Sequence, residues 1–184
     1  MSLAAINMQL FTKHIVVTLV TFCYCNIAYS QIDSLSLIDE TRSYVKFIDS
    51  INKLAYVQDL GFMKSVADGI IKKKKRVIGG SGVYTLSDYQ GDSVFRIMYH
   101  DNLNVNIYKT YYYRLNKQVC ATLELQTTDG KHIILYRKEE FYYNDTIIFT
   151  STQKDATADK YSNKTNFNLF EDGLNFLTDF HKRH

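Results

Sequence analysis

The chain has 184 residues, with 22 Lys and Arg against 19 Asp and Glu for a net charge of +3, and with 15 Tyr and 11 Phe but no Trp and no Pro. A charge this close to balance lacks the general field that nucleic acid or a membrane surface would answer to, so no nucleic-acid partner is expected. Two of the three cysteines fall before residue 26, leaving Cys120 alone downstream and excluding an intramolecular disulfide there.

In chain order, the first expected element is an export signal. Lys13 and His14 precede an apolar run over residues 15–25 (IVVTLVTFCYC), no acidic residue occurs before Asp33, and Ala28-Tyr29-Ser30 supplies a small-x-small end. The reading is a cleavable signal over residues 1–30, with the working chain at 31–184 as a single α+β domain, periplasmic or secreted. The apolar run is shorter than the ~20 residues a spanning helix needs, so no membrane span is expected after cleavage. Phe22 and Tyr24 before the two cysteines do not fit lipidation. Cleavage removes Lys13 and lowers the net charge from +3 to +2.

Residues 33–59 contain no Gly or Pro, and Tyr44, Ile48, Ile51 and Ala55 recur at helical spacing, which predicts a long amphipathic helix ended by Gly61. Residues 62–71 also fit a short helix through Phe62, Val66 and Ile70, with Gly69 against it. The basic run 72–76 (KKKKR) follows, and the GGSG of residues 79–82 reads as a linker or turn.

From Val83 onward the period changes from 3.6 to 2. Strands are expected over 83–89 and 93–100, joined by Gln90-Gly91-Asp92; over 105–115 and 118–126, joined at Asn116-Lys117; and over 132–143 and 146–152, joined at Asn144-Asp145. Asp129-Gly130 is the sharpest turn signal, since a type I′ turn needs positive φ at both central residues. The result is an antiparallel meander of about six strands. Centring a turn on Asn116-Lys117 pairs Lys109 with Glu124, and places Tyr108, Thr110 and Tyr112 with Val119, Ala121 and Leu123 on one face. Ile107, Tyr111 and Tyr113 then share the other with Cys120 and Thr122. A polar loop over 153–166 precedes a C-terminal helix over 167–180, spaced by Phe170, Leu174, Leu177 and Phe180.

The candidate ligand-binding residues are Tyr111, Tyr113, Tyr136 and Tyr143, whose flat amphipathic rings on neighbouring strands suit a glycan, peptide or protein partner. Strand tyrosines are also ordinary core residues, and that reading is the heavier one. The run 72–76 suits an anionic polysaccharide or phosphorylated lipid, against the commoner reading of a solvated turn. Glu139 and Glu140 point to opposite faces of a strand and cannot act together. His181 and His184 lack a third metal ligand, His100 and His132 lack triad partners, and Cys120 reads as a buried apolar residue. No cofactor motif is present. The sequons at Asn144 and Asn163 matter only in a eukaryotic secretory pathway, and the composition points instead to an A+T-rich bacterial genome.

The hairpin style of YYYRLNKQVCATLEL followed by TDGKHIILYRKEEFYYNDTIIF, over residues 105–149, resembles small exported bacterial proteins of unknown function. That resemblance implies an exported helix-plus-meander protein and carries no activity or site residue. The expected fold is α+β, with an N-terminal helix, the meander and a C-terminal helix on it; the element order is similar to the curved sheets of NTF2-like and cystatin-like proteins. The expected function is a non-catalytic binding module using the tyrosine face or a pocket between sheet and helix. The alternatives are an enzyme modifying an envelope polymer, with His100, His132 or a glutamate as acid/base, and an inhibitor or assembly partner that adds a strand to an exposed edge.

Overall fold

The computed structural model describes residues 34–129 and 131–183. The expected signal segment and Gly130 lie outside the described residues. The chain divides into two units, residues 1–40 and 41–184. Of the first, only residues 34–40 are described, and they are helical. All packing below belongs to the second.

The fold is α+β: a helix, a seven-stranded antiparallel meander and a C-terminal helix. Helix α1 covers residues 34–53. A short 3-10 turn, Gln58–Leu60, follows and is closed by Gly61, whose φ of 79° is one that side chains disfavour. The strands are β1 (Phe62–Lys73), β2 (Arg76–Asp88), β3 (Val94–Asp101), β4 (Asn106–Arg114), β5 (Lys117–Gln126), β6 (Ile134–Tyr143) and β7 (Thr146–Lys154), each paired with its sequence neighbours. A 3-10 segment, Ala156–Lys164, leads to helix α2, Leu169–His181. Asn168 caps α2, its side chain accepting from the Glu171 amide at 3.3 Å, with Glu171 and Asp172 favourably placed in the positive first turn.

Four expectations are corrected. The helix ends at residue 53, short of the expected 59. Residues 62–71 form most of β1, which raises the strand count from six to seven. Phe62, Val66 and Ile70 are four apart, and four is also a multiple of two, so the same spacing lines one face of a strand. The β-branched Val66, Ile70 and Ile71 favour that outcome, Gly69 weakens the helical alternative, and pairing with β2 runs from Phe62↔Asp88 to Lys73↔Arg76. Residues 79–82 lie inside β2, not in a linker.

The fourth correction concerns register. The β4–β5 turn is at Leu115 and Asn116, with φ of 53° and 57°, and a bulge follows between Tyr112 and Tyr113. Lys109 therefore faces Leu123, and Tyr108 faces Glu124. A slip of one residue exchanges faces. Ile107, Tyr111 and Tyr113 share theirs with Ala121, Leu123 and Leu125, and this set forms the main core with Leu169, Leu177 and Phe180 of α2. Tyr112 sits on the opposite face with Cys120, Thr122 and Glu124.

That opposite face is tied to α1. The Tyr112 hydroxyl donates to Asp49 Oδ1 at 2.9 Å, Arg96 pairs with the same carboxylate at 3.3 Å, and the Arg42 guanidinium lies 5.6 and 5.0 Å from the Phe141 and Phe149 ring centres. The Tyr44 hydroxyl donates to the Tyr113 carbonyl. Ile48 and Ile51 of the same helix are buried. The middle strands are thus covered on both sides.

Candidate functional site

Alternation along β4 sends Tyr111 and Tyr113 toward α2, where both are 0% exposed. The Tyr111 hydroxyl donates to Asp172 Oδ2 at 2.7 Å and the Tyr113 hydroxyl to the Gly173 carbonyl at 2.7 Å. Lys109 Nζ reaches the same Asp172 oxygen at 2.6 Å while lying 3.6 Å from the Phe167 ring centre, so a cation buried beside the core is paired and also covered by a ring. Burial raises the phenol pKa of Tyr111, Tyr112, Tyr113 and Tyr142, and the neighbouring Asp172 carboxylate adds to it for Tyr111 and Tyr113. These hydroxyls stay protonated donors.

The close fit rests on Gly173. A Cβ there would stand 2.1 Å from Gln118 Oε1 and 2.8 Å from the Tyr111 ring, so only glycine lets α2 approach β4 and β5 this closely. The Gln118 amide nitrogen, in turn, donates to the Leu169 carbonyl at 3.1 Å.

The four expected ligand-binding tyrosines do not meet on an open surface. Tyr111, Tyr113 and Tyr136 belong to the core cluster, whereas Tyr143, at the end of β6, is 53% exposed. Glu139 and Glu140 face opposite sides as alternation requires, and Glu140 is buried against Lys138 Nζ at 2.6 Å and the Tyr142 hydroxyl. Cys120 is fully buried, with its thiol pushed well above the ordinary range chiefly by desolvation. His132 lies in the 127–133 connection and His100 on β3, and no cleft brings them together among the described residues. No group of three or more His, Cys, Asp or Glu suited to a metal occurs among the described residues, and His184 lies outside them.

Two concave features occur on the β1–β3 half of the sheet. The first is a cleft of about 180 Å³ between that half and the last turns of α2. Val83, Ile97, Phe176 and Phe180 line its walls, Ser65 and Thr85 add hydroxyls, and Arg183 stands beside the aromatic pair. Phe176 is held between Tyr99 and Tyr111, with ring centres 5.7 and 5.5 Å away. The Tyr99 hydroxyl donates to Asp101 Oδ2 at 3.1 Å, and burial followed by that carboxylate lifts its pKa to about 12. Arg183 Nε donates to the Asp179 carbonyl at 3.0 Å, which fixes the side chain against the helix end.

The second feature is a recess of about 240 Å³ on the other face, lined by Asp68, Gly80, Gly82, Tyr84, His100 and Asn102. His100 stacks on Tyr108 with ring centres 4.5 Å apart. Its buried Nε2 has no hydrogen-bond partner.

Sequence reasoning allowed a pocket between sheet and helix but named none of the residues that line this cleft. Phe176 and Phe180 carried a helical-spacing signal, but what they faced did not show. The helical reading of residues 62–71 places Ser65 and Ala67 on a helix and so gives no sheet wall beside them. No helix among the described residues is long and apolar enough to cross a membrane. No family model, curated protein or solved structure matches the chain.

Proposed function

We propose that this protein is an exported, non-catalytic binding module, periplasmic or secreted, that takes a short apolar group bearing an anion into the cleft between β1–β3 and α2. The observation that carries the reading is the cleft itself: apolar walls of Val83, Ile97, Phe176 and Phe180 with a guanidinium at the end of α2. Apolar walls with a few polar groups are the usual make-up of a small-molecule site. Size narrows the ligand. At about 180 Å³ the cleft is smaller than the ~300–1,000 Å³ of drug-sized sites, so it suits a short acyl chain or one apolar side chain at a peptide C-terminus. Arg183 would meet the carboxylate with its remaining guanidinium donors.

Calorimetric titration of the full chain with octanoate tests this. Binding that falls about tenfold in Arg183→Ala, the scale of one charge-assisted contact, and disappears in Ala67→Trp is the expected result. Heats indistinguishable from dilution for octanoate and for an apolar C-terminal peptide would remove the reading.

A second reading, the envelope-polymer enzyme, is favoured by one observation: Asp68 and His100 line the same recess, and His100 Nε2 is unsatisfied. General acid–base work needs such a pair in reach of one substrate. Turnover of a peptidoglycan fragment that is abolished by His100→Gln, with circular dichroism unchanged, would promote it over the binding reading.

A further inference from the structure

The β1–β2 hairpin is longer than the sheet that supports it. β3 pairs with β2 only over Ser81–Ser87 and Asn102 holds Gly80 just beyond, so the segment from Ile71 and Gly79 outward to the turn is a two-stranded ribbon. Its tip is the run 72–76, five cations in succession, with Lys74 and Lys75 forming the turn at φ of 48° and 68°. Lys73 pairs directly with Arg76, a like-charge cross-strand pair that destabilises the hairpin. Left-handed φ at both turn positions favours Asn and Gly. The β6–β7 turn follows that preference with Asn144-Asp145, and the β4–β5 turn follows it at Asn116 though not at Leu115. At the ribbon tip the chain keeps two lysines against both local penalties.

Apolar side chains accompany the charge. Ile70 is 64% exposed and Val77 is 61% exposed; Val77 lies opposite Lys72. With Val66 they form an outward apolar row on one side of the ribbon, and Ile78 is exposed at the bulge beside them. Lysines spread along an edge strand are a usual guard against edge-to-edge pairing. Here they are gathered at the tip, while the edge from Ser65 to Ile71 carries only Asp68, so that guard does not explain them.

We propose that this ribbon docks the protein on the surface of an anionic lipid bilayer, the five cations over the headgroups and Ile70, Val77 and Ile78 at the acyl boundary. A soluble polyanion would answer the charge but leave the apolar row unused. Polybasic segments with adjacent apolar groups bind anionic leaflets through both terms.

The chain contains no Trp, so Ile78→Trp in the full-length protein places a single reporter on the ribbon, insensitive to any other segment that touches lipid. Its emission is expected to shift to the blue and resist acrylamide with vesicles of phosphatidylglycerol and phosphatidylcholine, and to do neither with phosphatidylcholine alone. Adding Lys74→Asn and Lys75→Gly improves the turn while removing two cations. It is expected to lower anionic-vesicle affinity about thirtyfold, from about 1 kcal/mol per cation at such a surface, with thermal stability unchanged or raised. An unmoved emission spectrum overturns the proposal. So does an equal shift on neutral vesicles, and so does an equal shift with dextran sulfate alone, which would make the partner a soluble polyanion.

Discussion

Strands β4 and β1 belong to one sheet and are built oppositely. β4 is buried at nearly every position, on both faces, whereas β1 is exposed along most of its length. In β4 the buried lysine and tyrosines have named partners: Lys109 and Tyr111 on Asp172, Tyr112 on Asp49, Tyr113 on the Gly173 carbonyl. In β1 the same sheet presents apolar groups and lysines to solvent, with a cleft on one face and a recess on the other. The difference teaches that aromatic content does not locate a binding surface. The β4 tyrosines went where two helices cover the sheet, the cleft opened where the end of α2 leaves β1–β3 incompletely covered, and the cations went to the uncovered end of β1.

High pH should break the covered half first and most completely. The folded chain holds the protons of Tyr111, Tyr112 and Tyr113 above the ordinary phenol value of 10.0, so above that pH the unfolded chain binds fewer protons. Their stabilisation is fully present below pH 10.0 and falls as pH rises, by about 1.4 kcal/mol per pH unit for each phenol still protonated. Alkaline titration followed by tyrosinate absorbance should therefore show, on top of a gradual rise, a cooperative step that coincides with loss of ellipticity. A gradual titration of all tyrosines in a folded chain would contradict the burial of β4.

Next in size is Asp172→Ala, which leaves Lys109 buried without its anion and Tyr111 without its acceptor. A loss of about 3–5 kcal/mol in denaturant unfolding is expected. Asp172→Asn, which keeps an acceptor for Tyr111, should lose less. Gly173→Ala should cost about 1–3 kcal/mol through overpacking against Gln118 and Tyr111. Alanine's helix propensity favours it by about 1 kcal/mol, so even a neutral result would mean that α2 can lift from the sheet. The smallest effect belongs to the open half: Val66→Thr on β1 should stay within about 0.5 kcal/mol of the parent by thermal unfolding. A larger loss would show that the exposed row is packed in solution, against the contrast drawn above.

Much of this architecture was legible before folding. Strands β3 to β7 and the second half of β2 announced themselves by period-2 runs and by turn residues, and α2 by the spacing of Phe170, Leu177 and Phe180. β1 was not, because Phe62, Val66 and Ile70 fit both periods, and only pairing with β2 separates them. The register of β4 on β5 was missed by one residue, since a turn at Leu115-Asn116 shifts the pairing by two and the bulge at Tyr112 and Tyr113 gives one back. The candidate site fared worse. Its walls come from β1, β2, β3 and the end of α2, segments with no sequence motif in common.

The chain's own residues determined local conformation: where alternation, capping by Asn168 and left-handed turn residues place strands, helix starts and reversals, since each depends on neighbours within a few positions. Only the tertiary structure decided which face each tyrosine takes, whether it meets helix or water, and that Gly173, Gln118 and Tyr111 pack together. Those outcomes depend on register and on the approach of elements some sixty residues apart, as the Tyr111–Asp172 separation of 61 positions illustrates. A one-residue slip reverses them without altering any local preference.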